Sequence, residues 1–151
     1  MKKLRVYIEN SVVGGYYDKE FKEATRKLFE EFKKGNYKPV ISSHVIDELE
    51  NGAPQKVIDN LNTLDYEEFI INEESENLAE SYLSKNIVTR NYLGDALHIA
   101  VATVIGADVL VSWNFKHIVN LEKIKKFNAV NLNEGYPILE IRTPREMINH
   151  D

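Results

Sequence analysis

Glu9, Glu48 and Asp95 are the residues of this chain best suited, by type and position, to do chemistry. Each is a carboxylate just past an expected strand or early in an expected helix. Hard oxygen donors gathered at one edge suit a hard cation such as Mg²⁺ or Mn²⁺. Such a cation can lower the pKa of a bound water, orient a phosphodiester and stabilise the charge of an in-line displacement. Asp95 is the most informative of the three. It opens Asp95-Ala96-Leu97-His98-Ile99-Ala100-Val101-Ala102, a helix apolar on nearly every face, where a carboxylate is costly unless it is paired or holds a cation. Glu48 lies beside Asp47 and near Glu50 and is favoured over Asp47 as the inward acid. The macrodipole would also explain acids early in that helix. Glu9 follows the first strand directly, where a solvated turn charge is the plainer account of one acid taken alone.

Smaller polar residues accompany these acids. Ser11 after the first strand and Ser112 and Asn114 after the apolar run Val109-Leu110-Val111 can hydrogen-bond a metal-bound water or a phosphate oxygen. Lys116 and His117 are the best-placed cations for a phosphate backbone, with Lys123, Lys125 and Lys126 behind them. A solvated basic stretch is the plainer reading of that run. Trp113 and Phe115 read as core or lid, and His98 as a satisfied core histidine before a ligand.

These residues need a scaffold, and the chain spells one out. Leu4 to Ile8 reads as a strand ended by Glu9-Asn10-Ser11, with Asn10 and Ser11 as turn formers. Asp18 to Lys34 carries Phe21, Ala24, Leu28 and Phe32 at helical spacing, with Gly35 as the stop. Pro39-Val40-Ile41 is a second strand, and Ser42 or Ser43 caps the helix bearing Val45, Ile46 and Leu49. Pro54 suits the first turn of a helix through Leu64. A strand from Tyr66 to Ile71, a helix from Glu73 to Ser84 and an apolar helix from Tyr92 to Ile105 follow. The inward stripe of that last helix is Leu93, Ala96, Leu97, Ala100, Val101 and Val104. Val109 to Val111 is a strand buried on both faces; Ala129-Val130-Asn131 is read as the last strand, and Thr143-Pro144-Arg145-Glu146 opens a terminal helix. Alternating strands and helices imply a mainly parallel, doubly wound sheet in a three-layer α/β/α fold, with function gathered beyond the carboxyl ends of the strands.

Composition narrows the choice further. A length of 151 residues fits one domain spanning 1–151. The absence of cysteine excludes a disulfide scaffold, thiolate zinc and a thiol nucleophile, and fits a cytoplasmic setting. No apolar run approaches a membrane span, and the start of the chain lacks a signal-peptide core. The net charge of −5 argues mildly against non-specific polyanion binding and leaves room for a local basic patch. No phosphate loop, dinucleotide fingerprint or serine elbow is present.

The stretches Val6–Tyr16, Ile41-Ser42-Ser43 through Asp47-Glu48-Leu49, Asp95–Ala100 and Ala107–His117 together resemble the PIN-domain family, the fold of the VapC-type ribonuclease toxins of toxin–antitoxin pairs. The last two are the most specific, and the likeness spans almost the whole chain. The resemblance implies a Mg²⁺- or Mn²⁺-dependent endoribonuclease that hydrolyses RNA phosphodiesters through a metal-activated water, forms a homodimer and is held in check by a small antitoxin protein. It places Glu9, Glu48 and Asp95 as metal ligands and Asn114 where many members carry a fourth acid. Ser11, Ser112, Lys116 and His117 fall on the substrate side. Two positions depart from the pattern. Glu9 stands where aspartate is usual, moving the carboxylate by roughly an ångström, and Asn114 removes a negative charge. The alternative is therefore a catalytically impaired PIN-like module that binds RNA or a protein partner. An unrelated α/β domain binding a nucleotide at the same edge is a third reading.

Overall fold

The computed structural model describes residues 2–148. Five parallel strands form one sheet: β1 (Leu4–Ile8), β2 (Tyr37–Ser42), β3 (Glu67–Phe69), β4 (Val109–Val111) and β5 (Glu140–Arg142). Their order is β3-β2-β1-β4-β5. The chain therefore winds outward from β1 to one edge, returns, and winds outward from β4 to the other. The reversal lies between β1 and β4, which pair from Val6 opposite Val109 to Ile8 opposite Val111. In an open parallel sheet this reversal leaves a crevice beyond the strands' carboxyl ends.

Seven helices flank the sheet: α1 (Asn10–Gly15), α2 (Lys22–Lys33), α3 (Ser43–Gly52), α4 (Gln55–Leu61), α5 (Glu73–Ser84), α6 (Leu93–Val104) and α7 (Leu121–Asn133). The core runs through the sheet and into both helical layers. Val6, Tyr7 and Ile8 meet Val40, Ile41, Leu110 and Val111, and these pack on Leu28, Phe29, Ile99 and Phe127. The three-layer α/β/α architecture expected from the sequence is the one observed.

Local capping sets several helix starts. Ser42 caps α3 by accepting from the Val45 backbone N–H. Asn72 and Ser75 form a capping box that starts α5 at Glu73. Thr143 and Glu146 form another at the closing 3₁₀ turn, Pro144–Met147, where a terminal helix was expected to open.

Three expectations are corrected. Ala129-Val130-Asn131 is not a strand. It lies in α7, where Phe127, Val130 and Asn131 are buried at helical spacing, and Asn120 caps that helix. The fifth strand is Glu140–Arg142 instead, and Leu139 and Ile141 beside it are buried. The segment after Glu9 is a helix rather than a turn, because Glu9 caps it and Val12 and Val13 bury its inner face. Asp18 does not open the second helix: its carboxylate accepts from the Glu20 and Phe21 N–H groups in a turn that precedes Lys22.

Gly15 closes α1 where another side chain would not fit. A Cβ there would stand 3.0 Å from both Thr25 Oγ1 and the Trp113 ring, and the Trp113 indole N–H donates to that same hydroxyl at 2.9 Å. Gly15→Ala is expected to destabilise the fold by about 1–3 kcal/mol, read as a lower midpoint in chemical denaturation with an unchanged slope.

Candidate functional site

The reversal of strand order puts the first acid at the crevice. The backbone N–H of Glu9 continues the β1–β4 pairing by donating to Val111 O at 3.2 Å. The side chain then turns back on its own helix: Oε2 accepts from the Ser11 N–H at 3.0 Å, and Oε1 accepts from the Ser11 hydroxyl. Oε1 also accepts from the Ser112 hydroxyl at 2.6 Å, across the gap between β1 and β4. Both hydroxyls are themselves fixed, Ser11 Oγ by the Trp113 N–H and Ser112 Oγ by the Asn114 N–H. Glu9 is only 5% exposed. It is at once the cap of α1 and the clasp between two strand ends.

Glu48 sits one turn into α3 and remains solvent-accessible. Its Oε1 accepts from His98 Nε2 at 2.6 Å, and its Oε2 lies 3.6 Å from His44 Nε2. Burial pushes the Glu48 carboxyl up, but the His98 hydrogen bond and the two imidazoles outweigh it, so it ionises below the usual range. His98 is fully buried on α6. Its Nδ1 contacts the Tyr7 hydroxyl at 2.8 Å, and Tyr7 contacts Ser42 Oγ at 2.7 Å. The partners assign the protons: a carboxylate accepts, so Nε2 donates to Glu48, and Tyr7 donates to Nδ1. The sequence reading of His98 as a satisfied buried histidine holds, and its partner is the second acid itself.

Asp95, in the first turn of α6, carries the electrostatic cost of this neighbourhood. Burial pushes its pKa up to about 6, helped by the negative charges of Glu9 and Glu48 and opposed by His98 and the Asn114 side chain. The three acids thus feel one another. Their oxygens do not, however, gather into one coordination sphere. The trio whose donor atoms all lie within 4.8 Å, among the described residues, is His44, Glu48 and His98.

The remaining expected residues divide. Asn114 Oδ1 accepts from the His117 N–H at 3.0 Å and so holds the turn that follows β4. Lys116 is exposed, as a phosphate-binding cation must be. His117 does not fit the cationic role. It is buried against Tyr92, ring centroids 3.7 Å apart, with Lys123 Nζ 3.2 Å from Nδ1. Burial and the charges of Lys123 and Lys116 hold its pKa below the ordinary value, so it is neutral at pH 7. Trp113 is core, stacked on Phe21 at 4.3 Å, while Phe115 is half exposed.

The sequence reading missed Tyr17 and Lys56. Both line an open cavity of about 610 Å³ shared with Glu9, Asn10, Ser11 and Glu48, and Lys56 Nζ stands 4.6 Å from the Tyr17 ring centre. An aromatic face and a cation at the mouth of an acidic cavity can receive a nucleobase and a phosphate. Inside, Asn10 Oδ1 is buried with no hydrogen-bond partner. His44 was also missed, although its i,i+4 spacing to Glu48 on α3 was visible.

A five-stranded parallel sheet in this order, with acids at its reversal, defines a PIN-like fold. Two VapC structures share it. Mycobacterium tuberculosis VapC20, described as a Sarcin-Ricin loop cleaving toxin, superposes with a TM-score of 0.57 at 12% identity, covering 74% of this chain and 92% of its own. VapBC2 from Rickettsia felis, bound to a DNA fragment from its promoter, gives 0.56 at 21% identity, covering 91% and 98%. No family model matches the sequence, and no curated protein matches it significantly. The likeness is one of fold.

Asp95 yields the prediction here. Its carboxyl is raised in the folded state, so the fold binds more protons than the unfolded chain between about pH 4 and 6, and stability falls as pH rises through that window. Asp95→Asn is therefore expected to raise the melting temperature at pH 7 and to flatten its dependence across that window.

Proposed function

We propose that the chain is a divalent-metal-dependent endoribonuclease of the VapC type. The observation that carries this reading is a trio of acids near the sheet's switch point, a buried Glu9, a half-buried Asp95 and a solvent-accessible Glu48. Glu9 and Glu48 both act on a half-buried Asp95, against a single imidazole. The donor set is carboxylate oxygen with one amide nearby and no thiolate, which fits Mg²⁺ or Mn²⁺. Glu9, Glu48 and Asp95 would hold the ion, with bridging waters or side-chain rotation closing the gaps between oxygens that do not yet meet in one sphere. When bound, it supplies water activation and charge neutralisation at a phosphodiester.

The chain's own residues do the rest. Ser11 and Ser112 fix the Glu9 carboxylate, and His98 fixes Glu48. Lys116 meets the RNA backbone on one side of the crevice, and Lys56 with Tyr17 receives a nucleotide on the other. The description of VapC20 as a Sarcin-Ricin loop cleaving toxin supports a structured RNA loop as target, and that of VapBC2 supports an antitoxin partner; the reading adds a cytoplasmic homodimer. Among the described residues no helix is long and apolar enough to cross a membrane.

One observation favours the alternative, an impaired module that binds RNA or a protein partner. Three hydrogen bonds already satisfy much of the Glu9 carboxylate, so its ligand role competes with its capping role. Incubating structured RNA with Mn²⁺ decides between them. Cleavage is expected, and Asp95→Asn should lower it by about 100-fold or more. RNA binding without cleavage, unchanged in Asp95→Asn, would establish the alternative. Glu9→Asp should release the carboxylate from Ser112 and change the Mn²⁺ requirement; an unaltered requirement would remove Glu9 from the ligand set.

A further inference from the structure

We infer that His44, Glu48 and His98 form a second cation site, which overlaps the three-carboxylate cluster at Glu48 and is selective for a borderline metal such as Zn²⁺. The three side chains come from two helices, α3 and α6, which meet beside the carboxyl end of β2. Their donor atoms lie within 4.8 Å of one another, and the two imidazole rings are 4.4 Å apart between centres. Two nitrogens and a carboxylate are the ligand chemistry of Zn²⁺ and its neighbours rather than of Mg²⁺. Donors about 2.0 Å from a tetrahedral ion stand roughly 3.3 Å apart. Each imidazole faces one oxygen of the Glu48 carboxylate, His98 at 2.6 Å from Oε1 and His44 at 3.6 Å from Oε2, separations on either side of that value.

Two further features support a site rather than a chance cluster. The first is Gly94, which leaves room at its centre. A Cβ there would stand 3.2 Å from Glu48 Oε2 and 3.5 Å from His44 Nε2. The second is the backing of His98. Metal-binding histidines ordinarily fix the far ring nitrogen with a hydrogen bond, and here Tyr7 and then Ser42 stand behind Nδ1. This chain also permits the required tautomer. When Nε2 gives its proton to solvent and Nδ1 takes one, Nδ1 donates to the Tyr7 oxygen and Tyr7 donates to Ser42 Oγ. The ring stays neutral and the proton count of the chain is unchanged. His44 makes the same exchange, giving up its Nε2 contact with Gly94 O at 3.1 Å. Glu48 is solvent-accessible, so a fourth position remains for water or an incoming group.

The site stands independently of the nuclease reading. One consequence rests on that reading: Glu48 belongs to both ligand sets, so Zn²⁺ held by the imidazoles withdraws an acid from the Mn²⁺ site and inhibits cleavage.

Cobalt(II) reports the site directly, since imidazole coordination of low symmetry gives visible absorption. Titrating the full chain with Co²⁺, and separately with Zn²⁺ by calorimetry, is expected to show saturable binding of one ion that survives Asp95→Asn. His44→Gln should abolish the cobalt bands while leaving Mn²⁺ binding intact. Gly94→Ala, which keeps every ligand but fills the centre, and Tyr7→Phe, which removes the support of His98, should each weaken Zn²⁺ by about tenfold or more; circular dichroism checks that each variant is folded. No saturable uptake by the native chain overturns the inference. So does cobalt binding that survives His44→Gln, or that is lost in Asp95→Asn as completely as in His44→Gln. A failure of RNA cleavage leaves these readouts untouched and counts only against the nuclease reading.

Discussion

The bond between Glu9 and Ser112 is the contact on which the organisation of the crevice depends. Parallel strands at a switch point diverge beyond their last shared hydrogen bonds, and each feeds a different helix or turn. Here one carboxylate oxygen joins the two ends, while the other oxygen caps α1. Because Ser11 and Ser112 also receive the Trp113 and Asn114 N–H groups, the turn after β4 is tied to the turn after β1. Trp113 then packs on Gly15 and Thr25, and the position of α2 follows. A glutamate suits this span, since its added methylene lets a buried carboxylate reach back to its own helix and across to the next strand.

That arrangement has an electrostatic consequence. Glu9 is held in place by hydrogen bonds from Ser11 and Ser112, and the His98 hydrogen bond helps hold the Glu48 carboxyl below its ordinary value. Asp95 sits beside both acids, and its pKa is raised to about 6, first by burial and then by their negative charges. A fold selected for stability alone would place an amide or an apolar residue there. Proteins keep such destabilising groups where function needs them, and a divalent cation is the natural counterweight to this one.

Much of this was legible in the sequence, for physical reasons that differ by element. The helix expected from about Glu73 to Ser84 is found there, started by the local Asn72–Ser75 capping box, and Val109–Val111 was legible because a strand buried on both faces is uniformly apolar. The helix Asn10–Gly15 was hidden, since Asn-Ser and Gly-Gly carry turn propensity and its cap is a glutamate that depends on Ser112, a residue distant in sequence. Ala129-Val130-Asn131 misled in the opposite sense: β-branched character suggested a strand, but burial three and four residues apart in α7 prevailed. At the site, acids next to strand ends could be placed from topology alone. Tyr17 and Lys56 could not, because their relevance arises only when the segments around α1, α3 and α4 converge on the same cavity, while His44 gains its role only when α6 brings His98 beside it.

The remaining feature to account for is a fully buried histidine on the most apolar helix of the chain. An imidazole at that depth must satisfy both nitrogens or lose about 1–3 kcal/mol for each one left bare. His98 satisfies them with partners on two other elements, Glu48 of α3 and Tyr7 of β1, and Tyr7 passes the requirement to Ser42 at the end of β2. A purely structural solution would use a leucine and spare β1 a buried hydroxyl. Instead the chain maintains a four-residue line of exchangeable protons that ends on an exposed carboxylate. His98, Tyr7 and Ser42 can each reverse donor and acceptor roles, whereas the Glu48 carboxylate only accepts, so the reversal leaves a lone pair on Nε2 for a cation to take. Such a line allows the Glu48 end to exchange a proton for a cation while the core behind it keeps its shape, and this reversibility is the property a binding site requires and a simple core contact does not.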